Sequence, residues 1–400
     1  MYNKFNLLTF AYLICLAMSF LKFSDYYDHS LSLQLYIFLI SIFVMNYCFS
    51  LFDRKIISTG QLYNLQDHPN FKRSQLLDIF VLIYFCVDCW YVGTLPIIEL
   101  LNLRNYKEID HLFGYSLLIL PLSMARVMIL FETRKFKLDL LWILFYFLFF
   151  LINVSRIIIF IMTIVLIVSY IESSPKKRKI NFSKFLNVKV IGIITVILFA
   201  FGLMGEFKSS SSSNFETAEK NEMTVIRYLS MPNDSFDRLN INDNFMWPYI
   251  YAVSTLYNLN SAIESNNSKN TDILVKSVTP NFVYQNFLNI EKDKSFLVVD
   301  TFNTSTVYGE LIHGFGIYVG LIYHFLLCIF LLCCSVLVQK SRSKILSTFL
   351  TVFVILTIFS GVILKEIFLV TLIFYCLIRF FQKTKFRYRL DESNLPKKGY

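Results

Sequence analysis

Two apolar runs and one short polar turn make up the stretch LDLLWILFYFLFFLINVSRIIIFIMTIVLIVSYI, Leu138–Ile171. Each run approaches the length of about 20 residues with which a helix crosses about 30 Å of hydrocarbon. Neither run shows the period-two alternation of a lipid-facing β-strand, so the predicted spanning element is the α-helix. The stretch therefore predicts an all-α polytopic membrane protein.

The composition of the whole chain agrees with this prediction. Of 400 residues, 56% are hydrophobic and 16% are charged, whereas charged residues make up about a quarter of a soluble domain. Ten spans are predicted. They are Phe5–Leu21, Leu31–Leu51, Leu76–Ile98, Leu112–Phe131, Leu138–Val154, Ile157–Ile171, Val188–Met204, Leu311–Val338, Ile345–Ser360 and Ile367–Phe381.

Basic residues are concentrated in alternate connections between these spans, for example in Arg134–Lys137 and Lys176–Lys184. The positive-inside rule assigns such connections, and with them both termini, to the cytoplasm. The formal net charge of +10 is then a signal of topology. It predicts contact with anionic lipid headgroups, and no nucleic-acid partner is expected.

The ten spans divide the chain into four parts. Residues 1–204 form a seven-helix transmembrane part, and residues 205–310 form a large external domain with amphipathic helices. Residues 311–382 form a three-helix transmembrane part, and 383–400 a basic cytoplasmic tail. The aromatic segment Met246–Ile263 of the external domain is expected to lie in the interface or to dip into a cavity.

All eight cysteines fall inside apolar runs. Cys86 and Cys89 form a CxxC pair, for which packing on a membrane helix is the expected role. Neither a disulfide framework nor a zinc site is predicted.

Ionisable residues inside spans are costly, so they are candidates for function. Arg156 lies in a turn that is expected below the outer headgroup level, facing an external cavity; snorkelling to the outer interface is the alternative. Asp88 could pair with Arg156 or face the same cavity. Arg126 is expected to snorkel toward the inner headgroups, and His324 to be a satisfied core histidine.

Four ionisable residues cluster where the external domain meets the membrane: Glu206, Lys208, Glu310 and His313. They come to one surface if the flanking helices are neighbours. The chain contains no phosphate loop, nucleotide-binding glycine pattern or HExxH motif. The pattern therefore favours a lipid-attached substrate that is reached from outside.

Four stretches resemble elements of the oligosaccharide repeat unit polymerases of the Wzy type, in order and spacing. They are GTLPIIELLNLRNYKEIDHLFGY (Gly93–Tyr115), FGLMGEFK (Phe201–Lys208), PYIYAVSTLYNLNSAI (Pro248–Ile263) and FNTSTVYGELIHGFGIYVG (Phe302–Gly320). Lys208 stands where this family often has arginine. The resemblance implies a fold like that of GT-C-type glycosyltransferases in a bacterial cytoplasmic membrane.

The resemblance also implies a reaction, namely glycosyl transfer between polyprenyl-pyrophosphate-linked oligosaccharides that builds O-antigen of lipopolysaccharide or capsular polysaccharide. Such transfer needs cations for the departing pyrophosphate and a base for the acceptor hydroxyl. The predicted pyrophosphate-binding residues are Arg156, Lys208 and Arg227. The predicted catalytic residues are His313, Glu310 and Glu206, with no order among them. The predicted glycan-contacting residues are Trp247, Tyr249, Tyr251, Asn303 and Tyr308.

No metal or other cofactor is expected, and a chain-length regulator is a further candidate partner. Three alternatives stay open at the level of sequence. An O-antigen ligase shares the donor and the overall plan, and a flippase or other transporter would bind lipid-linked glycans without making bonds. A membrane acyltransferase is disfavoured because its paired histidine and acid motif is absent from the cytoplasmic loops.

Overall fold

A computed structural model describes residues 3–58, 75–93, 95, 111–133, 137–152, 156–173, 195, 198–199, 202–203, 205, 224–265, 271–279, 295–299, 302, 306–341, 343–358 and 366–393. Within these ranges the protein is all-α, with fourteen α-helices. They are α1 (Lys4–Ser19), α2 (Leu33–Ser58), α3 (Leu76–Val92), α4 (Leu120–Thr133), α5 (Lys137–Ile152), α6 (Arg156–Ser173), α7 (Val225–Ser230), α8 (Asp234–Asp237), α9 (Met246–Glu264), α10 (Thr271–Val278), α11 (Gly309–Phe315), α12 (Ile317–Ser341), α13 (Lys344–Leu356) and α14 (Glu366–Ser393). A π-helical turn, Tyr115–Ile119, leads directly into α4.

Nine of the ten predicted spans coincide with described helices, and the seventh, Val188–Met204, lies mostly outside the described residues. One predicted span is divided, because Gly316 separates α11 from α12. Among the described residues, three helical segments are long and apolar enough to cross a membrane: Leu33–Ile56, Tyr115–Glu132 and Ile317–Gln339. These segments suggest a membrane protein.

Helix α2 shows the side-chain distribution of a membrane helix. Its exposed stripe is apolar and includes Ile37, Ile40 and Val44, whereas its buried stripe contains Asn46 and Asp53. A helix at the surface of a soluble protein has the opposite distribution, with its polar side chains facing water. Polar side chains that face other helices are typical of helix association in lipid.

The helices form one bundle around a continuous apolar core. Helix α1 packs against α2, α9 and α13, and α12 packs along α2. On the other side of the bundle α14 packs along α4, which also contacts α5, while α6 packs against α13. Helix α1 therefore connects the membrane helices to α9.

A second apolar cluster lies at the end of the bundle where α1 ends and α2 begins. It joins the connection 20–32 to residues 224–265, and we call these two segments the outer layer. Tyr27 packs against Tyr257 with 5.2 Å between ring centroids, and Val225 and Ile226 are buried in the same cluster. The outer layer is thus built onto the helix ends and shares α9 with the bundle.

Helix α9 differs from the prediction for Met246–Ile263. Most of its residues are buried, including Trp247, Ile250 and Asn258. The reason is that three elements cover it: α1 on the bundle side, the connection 20–32, and α11. It is therefore a core helix of the outer layer, enclosed by other parts of the protein.

Buried ion pairs lie at the opposite end of the bundle, which we call the inner end. The ammonium of Lys4 is 2.5 Å from the carboxylate of Asp53, and Ser335 donates to that carboxylate at 2.6 Å. Helices α1, α2 and α12 each supply one of these three residues, so the network joins them. On α14, Arg379 donates to Glu132 of α4 at 3.2 Å.

Arg126 forms the third buried pair, so the prediction that it snorkels to the inner headgroups is wrong. Its guanidinium donates to both carboxylate oxygens of Asp78, at 2.9 and 2.7 Å, and the hydroxyl of Tyr146 donates to the same carboxylate at 2.8 Å. Only 1% of the Arg126 side chain is exposed. Helices α3 and α5 supply the polar partners inside the bundle that make snorkelling unnecessary.

Candidate functional site

His313 lies on α11, between the outer layer and the membrane helix α12. Helix α11 packs against α9 and α10 and is followed by Gly316, whose φ of +83° turns the chain into α12. The His313 side chain is buried, and its ring lies 5.5 Å from that of Phe296. The sequence prediction placed His313 where the external domain leaves the membrane; in the structure it lies on the short helix that precedes α12.

Two serine hydroxyls contact the His313 ring. Ser265 Oγ lies 3.1 Å from Nδ1, and Ser295 Oγ lies 3.1 Å from Nε2. The Ser265 hydroxyl donates its one proton to the carbonyl of Ser261 at 2.6 Å, so it can only accept from His313. We therefore assign the proton of the neutral ring to Nδ1, which leaves Nε2 to accept from Ser295.

Glu310 lies on the same face of α11 as His313, three residues earlier, and is partly buried. The other predicted catalytic residue, Glu206, lies outside the described residues, as do Lys208 and Asn303. Arg156 is the first residue of α6, and its side chain is not among those described. The structure thus brings Glu310 and His313 together and leaves the rest of the predicted cluster untested.

Arg227 is held by two carboxylates of the outer layer. Its guanidinium donates to Asp237 at 2.6 Å and to Asp243 at 3.2 Å. These hydrogen bonds raise the pKa of Arg227, that to Asp237 most strongly. Thr224, which caps the N-terminus of α7, also donates to Asp243, at 3.0 Å. To bind pyrophosphate, the Arg227 guanidinium therefore has to break its hydrogen bonds to these carboxylates or divide its N–H groups between them and the phosphate.

The predicted glycan-contacting aromatic residues are mostly enclosed. Trp247 and Tyr249 are each 3% exposed, and the backbone N–H of Phe23 donates to the Tyr249 hydroxyl at 2.9 Å. Burial raises the pKa of Tyr249 to about 12. Tyr251, 6.2 Å from Trp247 between ring centroids, is partly exposed. Of Trp247, Tyr249 and Tyr251, Tyr251 is therefore the most accessible to a ligand in this conformation.

Tyr308 lies deeper, between α2 and α12. It is fully buried, its ring packs on that of Phe38, and its hydroxyl is 2.7 Å from Nδ1 of His324. His324 is fully buried and also lies 3.5 Å from the thiol of Cys328. The prediction that His324 is a satisfied core histidine is confirmed, and Tyr308 is its partner.

Gly202 and Gly205 explain part of the FGLMGEFK element. A Cβ atom on Gly202 would lie 2.1 Å from the backbone oxygen of Asn244, and one on Gly205 would lie 2.7 Å from the indole of Trp247. Both glycines therefore permit backbone contact with the N-terminal end of α9. The GxxG spacing has a packing role.

Asp88 has a partner that the sequence analysis did not identify. Its carboxylate is 2.8 Å from Nδ1 of His111, and the backbone N–H of Leu112 donates to it at 2.7 Å. The prediction was that Asp88 pairs with Arg156 or faces the same cavity; the Arg156 side chain is not among those described, and the described contacts of Asp88 are with the segment before the π-helical turn. The sequence signal is the DHLF segment, Asp110–Phe113, which places a histidine at the predicted start of a span.

All eight cysteines, including Cys86 and Cys89, are free thiols in the structure. Within the described ranges no group of three or more His, Cys, Asp or Glu side chains could hold a metal ion. Comparison with known proteins gave no match to a family model, to a curated protein or to a solved structure.

Proposed function

We propose that this protein polymerises polyprenyl-pyrophosphate-linked oligosaccharide repeat units into O-antigen or capsular polysaccharide. The observation that carries the proposal is the position of α11. This helix bears Glu310 and His313, packs against α9 and α10, and turns at Gly316 into the membrane helix α12. A site at such a junction lies at the membrane surface, where the head group of a lipid-linked substrate is found.

The proposed location is the outer face of a bacterial cytoplasmic membrane, with both termini in the cytoplasm. Three features support this orientation. The basic connections between spans fall on the side opposite the outer layer. The region from Glu206 to Glu310 contains thirteen acidic residues and eight basic ones. The described part of that region packs together with the connection 20–32, as expected for two segments on the same side of the membrane.

The proposed reaction forms one bond and breaks one. An acceptor hydroxyl of the incoming repeat unit attacks the anomeric carbon of the growing chain, and the bond from that carbon to the pyrophosphate oxygen breaks. The electron pair leaves with the polyprenyl pyrophosphate, and a base takes the hydroxyl proton. The protein's tasks are therefore to hold two lipid-linked heads, to stabilise a departing anion and to accept a proton.

For the departing anion, Arg156 and Lys208 remain the proposed cations, and Arg227 requires release from Asp237 and Asp243. Replacement of Arg156 by alanine should abolish chain growth, because a neutral methyl group offers no hydrogen bond to pyrophosphate. Membrane insertion should persist, as judged from the amount of protein in isolated membranes. Arg238→Ala, which removes an exposed arginine of the outer layer, is the control. Unchanged chain length in the Arg156 variant would show that this residue is only an anchor.

Transport of lipid-linked glycans is the second candidate function. It is favoured by the buried ionisable residues Lys4, Asp53 and His324, because such residues inside membrane proteins often mark ion or proton pathways. The contacts of these residues also join α1, α2 and α12, which gives them a structural role. We therefore rank transport below polymerisation.

Deletion of the gene tests the proposal directly. We expect single repeat units on the lipid core or carrier and loss of the ladder of longer chains on a polysaccharide gel. Accumulation of long carrier-linked chains would identify a ligase. Loss of all external repeat units would identify a transporter. Complementation with the intact gene should restore the ladder and serves as the control.

A further inference from the structure

A buried carboxylate at the outer end of α3 holds a histidine in one orientation. Asp88 is 2% exposed, and both of its oxygens accept hydrogen bonds. Oδ1 accepts from the Leu112 backbone N–H at 2.7 Å, and Oδ2 lies 2.8 Å from Nδ1 of His111. The His111 ring also stacks on the ring of Tyr115, with 3.9 Å between centroids and 15° between planes. We call this pair the Asp88–His111 dyad.

The dyad defines which ring nitrogen can accept a proton. An ionised carboxylate only accepts hydrogen bonds, so the Nδ1 atom of His111 donates to it. The neutral ring then has its lone pair on Nε2. Among the residues that the structure describes, no hydrogen bond involves this Nε2, and the His111 side chain is 17% exposed. His313 differs in this respect, because serine hydroxyls contact both of its ring nitrogens.

Exposed aromatic side chains surround the dyad at the end of α3. Asp88 lies in the last turns of α3, close to Trp90, which is 84% exposed, and to Tyr91, which is 60% exposed. Phe113, two residues after His111, is 92% exposed. Exposed aromatic side chains at the end of a membrane helix typically lie at the membrane–water interface. The first sugar of a polyprenyl-pyrophosphate-linked glycan is found at the same level.

We infer that His111 is the general base for a carbohydrate hydroxyl at the outer face, and that Asp88 is its positioning residue. The inference rests on the proposed function and names the proton acceptor of that reaction. Nε2 takes the proton of the acceptor hydroxyl as its oxygen bonds to the anomeric carbon, and the resulting imidazolium stays paired with Asp88. The proton then passes to solvent, which restores the neutral ring.

A purely structural role for Asp88 makes a different prediction. In that case the carboxylate would serve only to anchor the segment before the π-helical turn. Tyr84 anchors the same segment without touching the histidine, since its hydroxyl donates to the carbonyl of Leu112 at 2.8 Å. Tyr84→Phe is therefore a matched control for loosening the segment.

The first measurement is the protonation of the His111 ring nitrogens by 15N NMR of histidine-labelled protein in lipid nanodiscs. The His111→Gln spectrum assigns the signal, because the chain has only five histidines. We expect the proton on Nδ1 in the natural protein. In Asp88→Asn it should move to Nε2, because the amide now donates to Nδ1, whereas Tyr84→Phe should leave it on Nδ1. A proton on Nε2 in the natural protein would overturn the inference.

The second measurement is chain growth in a deletion strain complemented with each variant. His111→Gln should slow polymerisation by about 100-fold or more, as expected for loss of a general base. Asp88→Asn should have a similar effect with unchanged protein in the membrane, and Tyr84→Phe should retain the ladder. If the His111→Gln strain makes full ladders while the His313→Gln strain loses them, the inference is overturned but the polymerase proposal stands. Absence of any ladder phenotype on gene deletion would overturn both.

Discussion

Gly316 joins α11 to α12 in a conformation that only glycine adopts readily. Its φ is +83° and its ψ is 177°, a region in which a Cβ atom clashes with the backbone and which costs other residues about 1–3 kcal/mol. Gly93, at the end of α3, has φ +75° and ψ −3°. That is the left-handed helical region, which asparagine tolerates.

Asparagine at these two positions should therefore have different effects. Gly316→Asn should lower the apparent melting temperature of the purified protein, because the side chain strains the turn that positions His313. Gly93→Asn should change it little, since a Cβ atom there meets nothing within 4 Å. Thermal unfolding in mild detergent, followed by tryptophan fluorescence, measures both. Equal stability of the two variants would show that the turn can relax without cost.

Arg126 and Asp78 form a buried ion pair, so the loss of one side chain leaves the charge of the other buried without its partner. Loss of one partner of such a pair typically costs about 3–5 kcal/mol, whereas replacement of both by apolar residues of similar volume is often neutral. Asp78→Leu and Arg126→Met should each reduce the folded fraction strongly, and the double variant should regain most of it. Asp28→Asn, which removes the exposed partner of Lys22, is the control and should be neutral. If the double variant is as unstable as the single variants, the two side chains stabilise the fold by more than neutralising each other's charge.

The sequence predicted the surroundings of some buried ionisable residues correctly and those of others incorrectly. His324 was correctly placed in the core, because its depth in a long apolar run is visible from hydropathy alone. The partners of Arg126 and Asp88 were missed, since each lies on another element, 48 and 23 residues away. Which side chains meet across a bundle depends on helix rotation and neighbour order, and neither can be read from the hydropathy of one run.

At the scale of elements, the helical segment around Gly202 and Gly205 meets the start of α9 and the residues just before it. The Cβ distance of 2.1 Å for Gly202 is to the backbone of Asn244, which cannot move aside as a flexible side chain can. Phe199 packs against Phe245 in the same contact, with 5.9 Å between ring centroids. Close approach of this helix and α9 therefore depends on residue size at position 202.

Gly202→Val should separate the two helices and destabilise the outer layer. We expect faster proteolysis of the outer layer in membranes and a shorter polysaccharide ladder. Thr195→Val changes an exposed position on the same helical segment and should leave both properties unchanged. If Gly202→Val resists protease as well as the natural protein does, the contact with Asn244 is not needed for the outer layer.

Most of the described helices in the apolar runs were predicted to within a few residues, because the length and hydropathy of a run are local properties. Helix α9 was expected in the interface or in a cavity, and its enclosure by other elements was not predicted. Its aromatic content is the same for an interfacial helix and for an enclosed one, and the connection 20–32 that covers it is more than 200 residues away along the chain. The same holds for the candidate site: the helix that bears His313 was predicted only as the start of a longer span, and neither its break at Gly316 nor the serines around His313 were predicted.

At the scale of the whole molecule, the proposed function depends on which side of the membrane the outer layer faces. Lipid-linked donor and acceptor meet on one face only, and His313 and the Asp88–His111 dyad lie at helix ends on the side of the outer layer. The positive-inside rule predicts that this side is the exterior, because the basic connections lie at the opposite end of the bundle. Leu239 is exposed in the outer layer, and Arg54 is exposed near the inner end of α2.

Labelling of single cysteines in intact spheroplasts measures this orientation. In a variant lacking the eight native cysteines, Leu239→Cys should react with a membrane-impermeant maleimide. Arg54→Cys should react only after permeabilisation, and it serves as the matched control for labelling efficiency. The reverse pattern would place the outer layer in the cytoplasm, where nucleotide-activated sugars are available and translocated glycans are not. Polymerisation of externally displayed repeat units would then be ruled out, because neither histidine would face its substrates.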